Sequence, residues 1–527
     1  MAKLTIDGKQ VEYPDGTRLF DACSEVRGEP LPHFCYHPDL SIAGVCRLCQ
    51  VEIEGMPKLT IACNTTVREG MVVHTRSEKV RLAVQKILEM HLINHPVDCP
   101  ICDQAGECGL QDQYMEYGLY DSKVAKTDKV LKAKAEVIGP HVILDKERCV
   151  LCTRCTRFCD EITGTRELGI YYRGDRAEIG VAPGKELKNN YSLNTVDICP
   201  VGALTSRDFR FQQRVWLLSS TPSICPGCAT GCNVRLDHGA GRVYRLKPRR
   251  NEQVNGPWMC DLGRMEYKKI HTEKRLTTPL IRRDGQLEAV TWQEVWPRLT
   301  ALLAPGSVNL AVTSPHQSLE ELTLLRILMR EVAGAANVLG GVADADIKQG
   351  DDLLLSSDRS PNRQGLGWLG LPMVTPSELR AGIEAASGTI LIYGGDPAAI
   401  SPELERAVGD SRQLVYLGTH HCATAEAATL VLPLSMWAEK DGLFANQQGR
   451  VQRFQRAVAR PGEAREDWRL LTDLLSELNS LQVPTNLAAV RQTVANELHL
   501  PAAIDLYDLP VTGWVLDLPA RTPAGGR

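Results

Sequence analysis

Arg148–Asp160 reads RCVLCTRCTRFCD, and the Cys149, Cys152 and Cys155 spacing is C-x2-C-x2-C, with Cys199-Pro200 downstream. This run is of the bacterial 4Fe–4S kind. Three thiolates on a short loop cap one face of a cubane, and the remote Cys-Pro supplies the fourth corner. Cys159 extends the run to C-x2-C-x2-C-x3-C. In two-cluster proteins that last cysteine serves a second cluster. The matching second triplet is absent, so Cys159 reads as an orphan thiol and not a ligand.

Outward from this run, the cysteines form three more groups. Upstream, Cys35, Cys46, Cys49 and Cys63 are spaced C-x10-C-x2-C-x13-C. Four thiolates on loops can hold two irons, and the C-x2-C pair lets two sulfurs face one metal. The plant-type spacing opens with a shorter interval, so the long first loop is a departure. A four-cysteine zinc site is the alternative, and it would usually show two C-x2-C knuckles.

The next group is His95, Cys99, Cys102 and Cys108, spaced H-x3-C-x2-C-x5-C. A 4Fe–4S cluster needs four ligands, and His95 completes the count. His91, one turn earlier, competes for that place, and a Cys3His zinc site is the metal alternative. Downstream, Cys225, Cys228, Cys232 and Cys260 are spaced C-x2-C-x3-C-x27-C, again a triplet with a remote closer. Eleven Lys/Arg against five Asp/Glu lie between Cys225 and Arg275. Cations there would raise the potential of an anionic cluster, although a solvated charged face is an equally good account.

The chain has 527 residues, 18 cysteines, a formal net charge of -4 and 5% aromatics. Length implies several domains. Charge and aromatic content give no bulk case for nucleic acid or an anionic membrane. Met1–Gly8 alternates like a strand and lacks the features of a secretory leader, so a reducing compartment is expected and disulfides are not. No run of about 18 apolar residues occurs. Cys23 and Cys422 read as buried apolar thiols.

Short alternating runs at Lys3–Ile6, Gln50–Ile53 and Met71–Thr75 predict a β-rich domain over 1–78. Helical spacing over Val80–Asn94 opens a second module, 79–140. Residues 141–216 form a third and 217–273 a fourth. Over 274–527, the runs Val308–Val312, Leu353–Leu355, Thr389–Tyr393 and Gln413–Leu417 alternate with helical stretches such as Leu319–Val332. That alternation predicts an α/β domain with a parallel sheet. The tail after about residue 505 reads as extended or mobile. Gly365, Gly367 and Gly370 spell G-x-G-x-x-G after a loop, so the dinucleotide reading fails its context test. No Walker A motif or flavin signature is present. Gly44, Gly106, Gly109 and Gly227 are candidate N–H donors to cluster sulfur, or simply loop glycines.

The motif order resembles the large cluster-bearing subunit (the 75 kDa family) of bacterial respiratory complex I. Phe34–Gln50, His95–Leu110, Arg148–Phe158 and Asp197–Leu204 carry the likeness. The diaphorase subunit of soluble hydrogenases resembles only residues 1–215. Iron-only hydrogenases would need further cysteines. Residues 218 onward resemble molybdopterin oxidoreductases through the fourth cysteine group, Leu391–Pro397 (LIYGGDP) and Thr424–Phe454.

The resemblance implies a multidomain α+β and α/β fold. It would comprise an N-terminal β-grasp 2Fe–2S ferredoxin-like domain, a His/Cys cluster domain and a 4Fe–4S ferredoxin-like domain. A shortened molybdopterin-oxidoreductase-like α/β domain would follow. It implies one 2Fe–2S and three 4Fe–4S clusters, with the fourth off the main electron path. No molybdopterin is expected, because the domain is short, lacks a cysteine metal ligand and carries Leu262 where a bridging lysine belongs. NADH and FMN would sit on a partner. The other implied partners are a small 2Fe–2S subunit and membrane-proximal ferredoxin-like and quinone-site subunits. The place would be the cytoplasmic side of a bacterial inner membrane. The implied role is electron transfer within a proton-pumping NADH:quinone oxidoreductase, with no catalytic site on this chain. The rivals are an NAD-linked formate dehydrogenase or hydrogenase subunit and a zinc-bound scaffold.

Overall fold

The computed structural model describes residues 1–121, 123–333, 337–343, 345–479 and 483–521. They fall into two units, Met1–Leu218 and Ser219–Arg527. The end of the predicted tail, residues 522–527, lies outside the described residues.

The first unit opens with alternation that works as a strand. Ala2, Leu4 and Ile6 are buried while Lys3 faces solvent. Ala2–Ile6 pairs antiparallel with Lys9–Tyr13 and parallel with Val72–His74, and Gln50–Ile53 and Thr60–Ile61 complete a five-stranded sheet. Helix Leu19–Arg27 buries Leu19, Phe20, Ala22 and Cys23 in the same core. It ends at Gly28, whose φ of +74° places it in the left-handed region that glycine adopts without a Cβ clash.

Helix Glu78–Leu92 begins two residues before the predicted run because the Ser77 side chain accepts from Val80 N. Val80, Val84 and Leu88 form its buried stripe, each worth about 1.5–3 kcal/mol of burial. Its apolar face lies in one cluster with Phe34, Cys35, Cys46, Cys108, Val150, Cys152 and Val201. A single apolar core therefore runs through the first three cysteine groups.

The second unit starts as an antiparallel meander, Ser219–Ile224, Asn233–Gly239 and Arg242–Pro248. A seven-stranded sheet follows among the described residues. Five of its strands are parallel, in the spatial order Asn337–Leu339, Val308–Val312, Thr389–Tyr393, Leu414–Gly418, Leu430–Pro433. Strand alternation splits the core over two faces. Ala311, Leu391, Tyr393, Val415 and Leu417 pack with helices Trp292–Leu302, Leu319–Ala333 and Asp467–Asn479. Leu310, Ile390, Ile392, Leu414 and Tyr416 pack with Pro376–Ala385 and Pro402–Gly409.

Two expectations need correction. Leu353–Leu355 is not a strand. The Asp351 carboxylate accepts from the N–H groups of Leu353, Leu354 and Leu355 and curls the run into a turn. The tail is extended but docked. Leu506, Leu509 and Leu516 are buried, and Trp514–Val515 pairs with Arg450-Val451 beside Gly442–Ala445. Gly365 and Gly367 of the repeat lie within the short helix Arg363–Trp368 and Gly370 follows it, and Gly365 packs on Asn362 and Leu319. No helix among the described residues is long and apolar enough to cross a membrane.

Candidate metal centres

The first group gathers all four thiols in buried positions. Cys35 Sγ and Cys46 Sγ stand 3.4 Å apart, and Phe34 N donates to Cys46 Sγ at 3.4 Å. Cys63 shares thiol contacts with Cys35 and Cys49. Hydrogen bonds from Cys46 and Cys63 hold Cys35 far below the usual thiol value, and the sharing pushes Cys46 and Cys63 far above it. Protons shared among converging sulfurs are what a metal displaces on binding. Arg47, inside the C-x2-C, adopts a φ of +58°.

In the second group His95, Cys99, Cys102 and Cys108 line a single cavity, with Arg148 and Gly202 in its wall. His95 Nδ1 is buried without a hydrogen-bond partner. Burial, followed by the Arg148 charge, pulls the His95 pKa down to about 4. The ring is therefore neutral at physiological pH, the form that ligates metal. His91 turns elsewhere: its Nε2 meets Cys46 O at 3.1 Å and its ring packs edge-on against Phe34. A Cβ on Gly202 would stand 2.6 Å from Cys102 Sγ. Gly202→Ala is thus expected to displace Cys102 and abolish the second site's EPR signal while the first site's remains. An unchanged spectrum would refute that tight fit.

Cys149, Cys152, Cys155 and Cys199 lie close enough for their charges to act on one another. Burial pushes Cys149 up to about 12 and Cys152 up to about 11. Leu151 N donates to Cys149 Sγ at 3.4 Å. Leu151 and Thr153 hold φ values of +53° and +63°, so the loop winds with left-handed residues that are not glycine. Cys159 is fully buried, and burial and Glu167 push it up to about 12.

In the fourth group burial raises Cys225, Cys232 and Cys260, and Cys228 lies close enough to act on all three. Gly227 N donates to Cys225 Sγ at 3.4 Å and Gly263 N to Cys260 Sγ at 3.3 Å. A Cβ on Gly263 would approach Cys225 Sγ to 2.8 Å. Several of the nearby cations have their own carboxylates: Arg245 with Asp237 at 2.7 Å, Lys269 with Glu266 at 2.8 Å and Arg275 with Glu439 at 2.7 Å. Those cations are committed to ion pairs.

Among the described residues no three His, Cys, Asp or Glu side chains form a ready-made nest for a single bare ion. Geometric support for metal therefore lies in the first group's sulfur contacts, the second group's cavity and the close glycines. Of the four predicted glycine donors, Gly227 reaches a cysteine sulfur. Gly106 N instead donates to Gln111 Oε1, and Gly109 N to Pro200 O. Cys422 is half-buried and donates to the Tyr416 hydroxyl at 3.4 Å, so it is less apolar than predicted. Motif reading missed the residues that tie the groups together. Arg148 spans Asp98 at 2.6 Å and Asp145 at 3.0 Å. Pro200 O accepts from Cys108 Sγ at 3.8 Å. Arg154 and Arg157 reach the first group's loop.

Comparisons with known proteins follow the same order of segments. Residues 1–78 match the 2Fe-2S iron-sulfur cluster binding domain family. Residues 85–123 match the NADH-ubiquinone oxidoreductase-G iron-sulfur binding region, and 139–205 the ferredoxin-like domain of NADH-quinone oxidoreductase subunit 3. Residues 218–272 match the molybdopterin oxidoreductase Fe4S4 domain and 390–477 molybdopterin oxidoreductase. The G-type subunit of NADH-quinone oxidoreductase from Rickettsia conorii is 30% identical over 96% of this chain and 92% of its own length. Its namesake in Streptomyces coelicolor is 42% identical over 56% of this chain and 35% of its own. The mitochondrial 78 kDa subunit of NADH-ubiquinone oxidoreductase from Candida albicans is 30% identical over 91% and 83%. A chain of an NAD+-reducing [NiFe]-hydrogenase, solved in its H2-reduced state, is 27% identical with a TM-score of 0.36, over 41% of this chain and 91% of that one.

Proposed function

The chain belongs to the family of G-type, cluster-bearing subunits of NADH-quinone oxidoreductase, and from that premise we propose that it passes electrons from a flavin-bearing partner toward quinone. The single observation that carries this is the apolar core shared by the first three cysteine groups. Cysteines of three groups share one apolar core, which supports relay of electrons between them. When bound, the clusters supply one-electron acceptance and release, with potentials set by hydrogen bonds to sulfur, nearby charge and exposure.

The ligand assignment is part of the proposal. Cys35, Cys46, Cys49 and Cys63 hold a 2Fe–2S cluster. His95, Cys99, Cys102 and Cys108 hold a 4Fe–4S cluster, as do Cys149, Cys152, Cys155 and Cys199. Cys225, Cys228, Cys232 and Cys260 hold a third 4Fe–4S cluster whose role is to stabilise the fold. The five domain spans 1–78, 79–140, 141–216, 217–273 and 274–527 go with it. So do the β-grasp description of the first, the partner subunits named above and a place on the cytoplasmic face of a bacterial inner membrane.

The molybdopterin-like half works without pterin. In its favour, the Asn446 side chain and Arg450 Nη1 are spent on the protein itself. Asn446 Nδ2 donates to Thr230 O at 3.0 Å, and its Oδ1 accepts from Gln448 N and Arg450 N at 3.0 Å each. Arg450 Nη1 donates to Thr512 O and Gly513 O at 3.0 and 3.1 Å.

Iron, acid-labile sulfide and low-temperature EPR on protein prepared without oxygen test the reading. About 14 irons per chain are expected, with one binuclear and several cubane signals. Little iron with stoichiometric zinc would leave a structural scaffold in its place.

A further inference from the structure

The first and third candidate sites are joined by two arginines that belong to the cysteine run itself. Arg154 follows Cys152 by two residues. Its Nη1 donates to Ile198 O at 3.0 Å, beside Cys199, and its Nη2 donates to Tyr36 O, beside Cys35. Arg157 Nη2 donates to Cys35 O at 2.5 Å and to Cys152 O at 3.4 Å. Its Nη1 donates to Ser41 O, and Ser41 N is held from the same stretch by Glu161 at 2.8 Å. The two forks therefore grip ligand-bearing loops of both sites at once. Burial lowers the Arg154 pKa, and the sulfurs of Cys152, Cys199 and Cys35 pull the other way, toward the cation. Arg154 Nε is buried, with no described group accepting from it.

We propose that Arg154 and Arg157 form a cationic clamp between the first and third clusters. They are positioning residues that fix the clusters' separation and hold up both reduction potentials. The inference rests on the ligand assignment proposed above. Four-thiolate clusters are anionic in both oxidation states, so an electron added to one opposes an electron added to its neighbour. A guanidinium stays protonated at all working pH values, and a fixed cation at the junction favours the added electron on either cluster, offsetting that opposition. Its planar fork also bonds several carbonyls in defined directions, which a lysine ammonium cannot reproduce.

The test is potentiometric EPR on the whole purified complex carrying Arg154→Gln or Arg154→Lys. Gln keeps a hydrogen-bond donor and loses the charge, whereas Lys keeps the charge. At the potential that half-reduces the wild-type sites, Gln is expected to lower the reduced-to-oxidised ratio of both clusters about tenfold, or 59 mV for one electron. Lys is expected to stay within about twofold, or less than 20 mV on the same scale. Unchanged potentials in Arg154→Gln at full iron content overturn the proposal. If the Gln variant loses its clusters, the Lys variant decides. Retained potentials then support the clamp, and a tenfold fall there overturns it. Absence of these two signals from the wild-type complex would instead refute the ligand assignment.

Discussion

Replacing Cys152 by alanine is expected to remove about four irons per chain and cut electron passage from NADH to quinone on the order of 100-fold. Cys152 is a buried member of the third group and shares the apolar core with Cys35, Cys46 and Cys108. Its loss opens a gap in the middle of the relay. Reduction of an artificial acceptor at the flavin partner is expected to survive, because that step precedes this chain. The matching change in the fourth group, Cys228→Ala, provides the control. It is expected to remove about as much iron and to leave the quinone rate within about twofold, since its cost falls on folding. Iron content and the two rates, measured on both variants, decide the matter. A Cys152→Ala complex with an undiminished quinone rate would remove the third site from the path.

The second large effect is expected at Lys440. Its Nζ lies 2.6 Å from Glu321 Oε1 and 2.6 Å from Asp467 Oδ2, in a buried triad. The other two oxygens are also used: Glu321 Oε2 accepts from Ser318 N at 3.0 Å and Asp467 Oδ1 from Ser435 N at 2.9 Å. Burial opposes the Lys440 cation, and the two carboxylates more than offset it, holding its pKa above the usual lysine range. Lys440→Met leaves two buried carboxylates with no cation between them, at a cost of about 3–5 kcal/mol. Unfolding of the second unit should come about 10 °C lower.

The loss should also grow with pH. Burial pushes the Glu321 carboxyl up to about 7, while Lys440 pulls the other way. An acid raised on folding contributes stability below its unfolded value, near 4.5, and loses it as pH rises through the folded value. Without Lys440 the folded value rises further, so the variant should lose more at pH 8 than at pH 6. Equal losses at both pH values, read by thermal unfolding, would contradict this account.

The cysteine groups stood out because iron–sulfur chemistry writes itself in local spacing. Cys149, Cys152 and Cys155 share one loop, and their intervals alone suggest the cubane. The partner of each group was harder to read. Arg154 meets Tyr36 across 118 positions and Arg157 meets Cys35 across 122, so no spacing rule could pair them. The ligand count already favoured His95 over His91, and the structure adds that the His95 ring lines the cavity with the cysteines while the His91 ring faces Cys46 O. In the α/β half, strand runs such as Thr389–Tyr393 were plain because every residue is buried and all but the first are apolar or aromatic. Leu353–Leu355 carried the same signal and failed, because Asp351 captured the backbone donors that a sheet would have used. The docked tail was hidden by its proline and glycine content, although Leu506, Leu509 and Leu516 gave it an apolar face.

Leu151 and Thr153 hold left-handed backbone at positions where glycine would be at ease. Each such residue carries about 1–3 kcal/mol of strain that its surroundings must sustain. On the ligand assignment proposed above, four ligand bonds would help sustain it. Stripping the iron would then release the loop to unwind, and the third cluster would double as a certificate of completed maturation. A protease that samples local opening would then find the stripped chain first.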